Sequence, residues 1–142
     1  MPNAARVTSA ARITASDLGA IQNKMGFLSE DYTKLRPRVL MKATGLGAAT
    51  LSTQLGQVRT HMYREEIPLS TRLKKCVLDL VQTTDLAFEL FQGDLEETRR
   101  WMMLPNTMLF GQSPFEACFS GKGADLITWL NTRLNRLPGS AF

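Results

Sequence analysis

The side chains able to do acid–base, nucleophilic or metal chemistry are few in this sequence and badly spaced for it. His61 is the only histidine, Cys76 and Cys118 stand far apart among apolar neighbours, and there is no Gly-rich phosphate loop, His-Glu-x-x-His pair or nucleophile elbow. Cysteines in such surroundings read as buried thiols, with no metal-ligand set and no disulfide expected. The carboxylates fall mostly on what would be exposed helix faces. Catalysis, a bound cofactor and a metal centre are therefore not expected. What is left is recognition by charge, hydrogen bonding and apolar surface.

Charge is unevenly divided. Residues 1–75 carry 12 Lys/Arg against 5 Asp/Glu, and residues 76–142 carry 5 against 8, so net charges of +7 and −3 make up the overall +4. A basic front half suits a polyanion, although a chance imbalance of solvated charge looks the same in a sequence. Within that half, ATLSTQLG followed by QVRTHMYR has the spacing of two short helices joined by a glycine turn, as in a helix-turn-helix whose second helix enters the major groove. On that second helix Arg59, Thr60, His61 and Arg64 would project, with Val58 and Met62 facing the core. Arginine can pair with guanine, and Thr or His can reach a base edge or a phosphate; a solvated polar face has the same periodicity. Arg72, Lys74 and Lys75 crowd the start of the next helix, where the dipole is already positive. A phosphate nearby would turn that repulsion into attraction, and so would salt bridges from Glu65 and Glu66.

The elements that would carry these residues are helices. At 44% hydrophobic and 21% charged, 142 residues suffice for one domain or two small ones, and no apolar run approaches the roughly 18–20 residues of a membrane span. The N-terminal stretch reads as a polar tail rather than a secretory or transit signal, which suggests the cytoplasm. Ser16-Asp17 can cap a helix with Leu18, Ile21 and Met25, and Ser29 offers a second start. Pro37 suits the first turn of a helix that Gly45 and Gly47 stop or separate, and Gly56 closes the next.

The strongest pattern runs from Ser70 to about Gln92, where Leu73, Cys76, Val77, Leu80, Ala87 and Phe91 form one stripe and Val81, Leu86 and Leu90 widen it. The extra apolar width points to a homodimer. Gly93 can end this helix, and Asp94 with Glu97 caps another that Pro105 stops. Ser113-Pro114-Phe115-Glu116 is a capping box with proline in the first helical position, and Gly121 ends that short helix. The last helix is predicted from near Ala124 to Leu137, with Ile127, Leu130, Leu134 and Leu137 on one stripe, ended by Pro138-Gly139. No segment alternates long enough to argue for a strand, so the fold class is all-α. Met102, Met103, Met108, Phe110 and Phe115 crowd two short helices too small to bury them all, so part of that surface is expected to meet a partner.

The segments WMMLPNTML, GQSPFEACFSGKGA and LITWLNTRLNRLPG together resemble the C-terminal pattern of the Xre/MbcA/ParS-type antitoxins of bacterial type II toxin–antitoxin pairs, whose toxins carry a RES domain. The middle, LGQVRTHMYREEIPLS and the long helix ending DLAFELFQGD, is similar to that family's helix-turn-helix and linking helix, so the resemblance covers about residues 35–142. It implies an antitoxin that blocks a RES toxin, an NAD-consuming type, and represses its own promoter as a dimer. Trp101, Pro105, Asn106, Gly111, Pro114, Gly121, Gly123, Arg133 and Arg136 would then shape the toxin-binding module. The tail from Asn135 through Gly139 to Phe142 would approach the toxin's active site. Pro138 before Gly139 departs from the family tail, and Gly47 and Ala48 stand where a polar cap belongs.

The expected organisation is a tail over 1–15, an Xre-like helix-turn-helix region over 16–70, a linking and dimerisation helix over 71–93 and a toxin-binding domain over 94–142. The expected partners are a cognate RES-domain toxin, operator DNA and a second copy, within a higher toxin–antitoxin complex and without a membrane. The alternative is a stand-alone dimeric helix-turn-helix transcriptional regulator whose C-terminal helices only dimerise.

Overall fold

The computed structural model describes residues 22–134. The expected tail, the helix proposed from Ser16 and the segment after Leu134 lie outside the described residues, apart from Met25, which sits in a turn. In chain order the elements are β1 (Lys34–Leu35), α1 (Pro37–Thr44), α2 (Ala48–Leu55), a 3-10 helix (Arg59–Tyr63), β2 (Ile67–Pro68), α3 (Thr71–Leu90), α4 (Leu95–Met103), a second 3-10 helix (Thr107–Leu109), α5 (Pro114–Phe119) and α6 (Gly123–Arg133). The protein is mostly helical, as its periodicity predicts. Two compact units divide it, Met1–Lys75 and Cys76–Phe142, with the border inside α3.

In the first unit the strands correct the reading that none would form. β1 and β2 pair antiparallel, Lys34 opposite Pro68 and Leu35 opposite Ile67, and Leu28 bridges to Leu35. Segments two residues long carry no readable alternation, because period-2 patterning needs at least about four. Nor does a helix start at Ser29. The Asp31 carboxylate accepts the Ser29 hydroxyl at 2.8 Å, the Thr33 hydroxyl at 2.7 Å and the Thr33 N–H at 3.1 Å, closing a turn in which Tyr32 takes φ 62°. Short polar side chains that bond nearby backbone compete with helix formation, and here they win. The helices that follow match their punctuation. Pro37 opens α1, Gly45 closes it at φ 75° with its N–H on the Met41 carbonyl, and Gly56 closes α2 at φ 65°. Phe27, Leu40, Leu51, Leu55, Met62 and Ile67 fill the core of this unit.

In the second unit Val77, Leu80, Val81 and Ala87 of α3 are buried, while Cys76, Leu86, Leu90 and Phe91 are only half-buried. Three polar residues the apolar stripe passes over, Thr83, Thr84 and Asp85, are buried too. The Thr84 hydroxyl donates to the Val81 carbonyl at 2.9 Å, and the Cys118 thiol meets the Thr83 hydroxyl at 3.7 Å, so this stretch is a hydrogen-bonded core strip. Gln92 and Gly93 end the run at φ 57° and 84°, with the Gly93 N–H on the Phe88 carbonyl. Asp94 then caps α4 by accepting the Glu97 N–H at 3.0 Å. The Ser113–Glu116 capping box forms in full, at 3.1 Å from the Glu116 N–H and 2.9 Å from the Ser113 N–H.

α6 is turned relative to its expected stripe. Leu126 and Leu130 are buried, Ile127 and Leu134 half-buried, and Leu137 lies outside the described residues. The helix starts at Gly123, against α3: a Cβ there would lie 2.5 Å from Asp79 Oδ2 and 2.6 Å from Asp79 Cβ. That close approach sets which face of α6 points inward.

Candidate functional site

Two regions carry the residues singled out for recognition. In the first unit, the segment expected to form a recognition helix is the five-residue 3-10 helix Arg59–Tyr63. Met62 plugs the core, but Val58, expected beside it, is 57% exposed. The reason lies in the 3-10 geometry. The helix begins only at Arg59, so Val58 sits before it in extended backbone, and at three residues per turn positions four apart would not share a face. Arg59, Thr60 and Arg64 are exposed as predicted. His61 is half-buried, its Nδ1 3.1 Å from Gln57 Oε1, so one ring nitrogen is already engaged within the fold.

The cations around this turn are partly structural. Arg72 donates to the Leu55 and Gly56 carbonyls at 3.4 and 3.3 Å, satisfying the C-terminal end of α2, where a cation is favoured by the helix dipole. Its guanidinium occupies the space that a Gly56 side chain would need. A phosphate is not required to explain it. Lys74 is half-buried and Lys75 exposed on the same helix start. Glu66 pairs with Arg36 at 3.4 Å, and Arg38 donates to the Tyr63 carbonyl, holding the end of the 3-10 helix. Beside them Ser29, Glu30, Asp31, Lys34, Arg36 and Glu66 line a polar hollow of about 290 Å³. There the Asp31 carboxyl is held down to about 2 by the bonds from the Thr33 and Ser29 side chains and the Thr33 N–H.

In the second unit, the residues between α4 and α5 close on themselves. The Asn106 N–H donates to the Gln112 carbonyl at 2.9 Å, while the Asn106 carbonyl accepts the N–H groups of Leu109 and Gly111, both at 3.0 Å. The Ser120 hydroxyl ties Gln112 Oε1 to the end of α5 at 2.9 Å. Pro105, exposed, ends α4, and Gly111 takes φ 86° at the loop's exit. Pro114 is buried at the first position of α5, and Gly121 turns the chain at φ 84° into α6. Trp101 is half-buried and meets Phe91 edge-on at 6.2 Å between ring centres. These residues lie in or beside the connections that join α4, α5 and α6.

What this frame presents is less expected. Met102 and Phe115 are buried, so the two short helices hide more of their apolar crowd than their size implies. The side chain of Met108 lies outside the described residues. Leu109 points inward at 6% exposure, and the next residue, Phe110, stands out at 86%. Phe110 has φ 56°, a left-handed conformation that costs a residue with a Cβ roughly 1–2 kcal/mol. The Lys122 ammonium lies 4.7 Å from the centre of its ring. Along α6 the Arg133 guanidinium lies 4.8 Å from the Trp129 ring. Between them Asn106, Leu109, Asp125, Leu126 and Trp129 line a mostly apolar cavity of about 80 Å³. Lys122, Asp125 and Trp129 were not singled out from the sequence, although their i, i+3, i+7 spacing puts them on one helix face. Arg136, Gly139 and Phe142 lie outside the described residues.

The second unit thus holds a hydrogen-bonded loop and an exposed aromatic, and among the described residues no group of three or more His, Cys, Asp or Glu could hold a metal ion. Residues 86–137 match the family model of the antitoxin Xre/MbcA/ParS C-terminal toxin-binding domain. The match supports antitoxin function, a toxin as partner and a regulatory role. No curated protein and no solved structure matches the chain. Among the described residues no helix is long and apolar enough to cross a membrane.

Proposed function

We propose that this protein is the antitoxin of a RES-domain toxin, binds it through residues 94–142, and represses its own promoter as a homodimer. The toxin-binding-domain match over residues 86–137 supports a toxin as the partner, and the RES domain of that toxin is what the resemblance of the C-terminal segments implies. The closed loop between α4 and α5 supports it, because a surface held by its own hydrogen bonds loses little conformational entropy on docking. Co-expression tests this directly. A RES-domain gene is expected beside this one, and the chain should rescue growth from its product and co-purify with it; failure of both rejects the toxin reading.

The promoter reading rests on the basic front half and the exposed Arg59, Thr60 and Arg64. A 3-10 helix of five residues is only about 10 Å long, too short to lay a recognition face along the major groove. Arg59 and Arg64 are therefore proposed as phosphate contacts, with His61, Lys74 and Lys75 at the margin. In a gel shift on the upstream DNA, Arg59→Ala and Arg64→Ala should each weaken binding to all sequences alike and lower the salt slope by about 1. An unchanged shift removes them from the interface. Dimerisation is read from the mass of the purified chain in light scattering, where a monomer at micromolar concentration would reject it.

A further inference from the structure

Phe110 is out of place twice over. A large apolar ring stands 86% exposed, and its backbone holds a left-handed conformation that glycine adopts at no steric cost. Folding explains neither feature, since the neighbouring Leu109 already plugs the loop into the module. The loop fixes where the ring emerges: the Phe110 N–H is tied to the Thr107 carbonyl at 3.1 Å, and the flanking Leu109 and Gly111 N–H groups to the Asn106 carbonyl. The ring is thus presented at a set position, with Lys122 over one face. From there Lys122, Asp125, Trp129 and Arg133 follow at steps of three, four and four along α6, so the strip continues past the apolar cavity to a second aromatic paired with a cation.

We propose that Phe110 is the anchor by which this module docks its toxin, inserting into an apolar pocket on the toxin whose rim carries a carboxylate for Lys122. The proposal rests on the toxin-binding function above and names the residue that does the binding. The occupant is the toxin because strip and loop both lie within the matched residues 86–137, and a Lys beside the ring calls for an acidic rim. An exposed aromatic presented from a hydrogen-bonded loop at the cost of backbone strain is an arrangement that stability alone would remove and binding would keep.

The test uses the full chain and an inactive variant of the RES-domain toxin proposed above. Phe110→Gly should leave the thermal midpoint of the isolated chain unchanged or raised, and weaken toxin binding at least tenfold in calorimetry. Phe110→Tyr, which keeps the ring, should restore most of the affinity, and Lys122→Glu should weaken binding more at low salt than at high salt. Affinity of Phe110→Gly within twofold of the wild type overturns the anchor while leaving the toxin reading intact. A wild-type chain that does not bind the toxin overturns both. A shift of Phe110→Gly from dimer to monomer in light scattering, with toxin binding retained, overturns the proposal by assigning the ring to self-association.

Discussion

The two units start most of their helices by different means: in the first only α3 begins on a capping side chain, Ser70, whose hydroxyl takes the Leu73 N–H at 3.3 Å, and in the second α6 begins without one. In the first, α1, α2 and the 3-10 helix begin without any side chain accepting a first-turn N–H, and α1 and α2 end on left-handed glycines. In the second, α4 and α5 begin on Asp94 and Ser113, whose side-chain oxygens take the N–H three residues on. A capped helix carries part of its stability locally, whereas an uncapped one depends on what it packs against. The difference teaches where a sequence can be trusted. α4 and α5 form where their caps predict, as α1 and α2 do from their proline and glycines, while the uncapped segment after Gly56 forms a 3-10 turn with Met62 in the core.

The contrast can be broken or sharpened by substitution. The largest effect is expected in the cores, where both units rely on the same physics. Phe115→Ala in the second unit should cost about 3–5 kcal/mol in denaturant unfolding and Leu51→Ala in the first about 2–5 kcal/mol. A loss below 1 kcal/mol at either site would mean that the unit does not depend on that core. Next comes Gly123→Ala, whose Cβ would meet the Asp79 carboxylate at 2.5 Å and also the Asp79 Cβ at 2.6 Å, which no side-chain rotation moves away. Overpacking of that kind should lower stability by about 1–3 kcal/mol, and a neutral result would show that α6 can shift away.

Caps give smaller, asymmetric effects. Ser113→Ala should destabilise by about 1 kcal/mol, while Gly47→Ser, at an extended N-cap position lacking a side-chain bond, should gain a few tenths. Equal and opposite changes would erase the proposed difference between the units. The smallest effect is set by pH. The folded Asp31 carboxyl is depressed to about 2 from an ordinary 3.8, so its contribution is full above about pH 4 and is lost as pH falls through about 2. Thermal midpoints of Asp31→Asn and the parent chain should differ above pH 4 and converge towards pH 2. A constant gap would show that Asp31 acts by shape alone.

Several parts of the candidate site are legible in the sequence because they are made of neighbours. Pro105, Gly111, Ser113, Pro114, Glu116 and Gly121 each act on backbone groups within a few positions, and each acts as its residue type predicts. Arg72 is not legible in this way, since its carbonyl partners lie 16 and 17 residues earlier and a phosphate explains its position equally well from sequence. Phe110 is the sharpest case. Five large apolar residues share one stretch, and their types do not tell which of them the module hides.

By itself the sequence determined the helical class, most of the helix starts and stops, the basic and acidic halves and the pattern shared with a toxin-binding domain, since these follow from residues a few positions apart or from sums over the chain. Tertiary structure alone decided that Arg59–Tyr63 winds as a 3-10 helix, that Thr83, Thr84 and Asp85 go inside, that Gly123 seats α6 on α3, and that Phe110 stays out while Met102 and Phe115 go in. Burial is settled by competition among distant segments for limited interior volume, and no local spacing records its outcome.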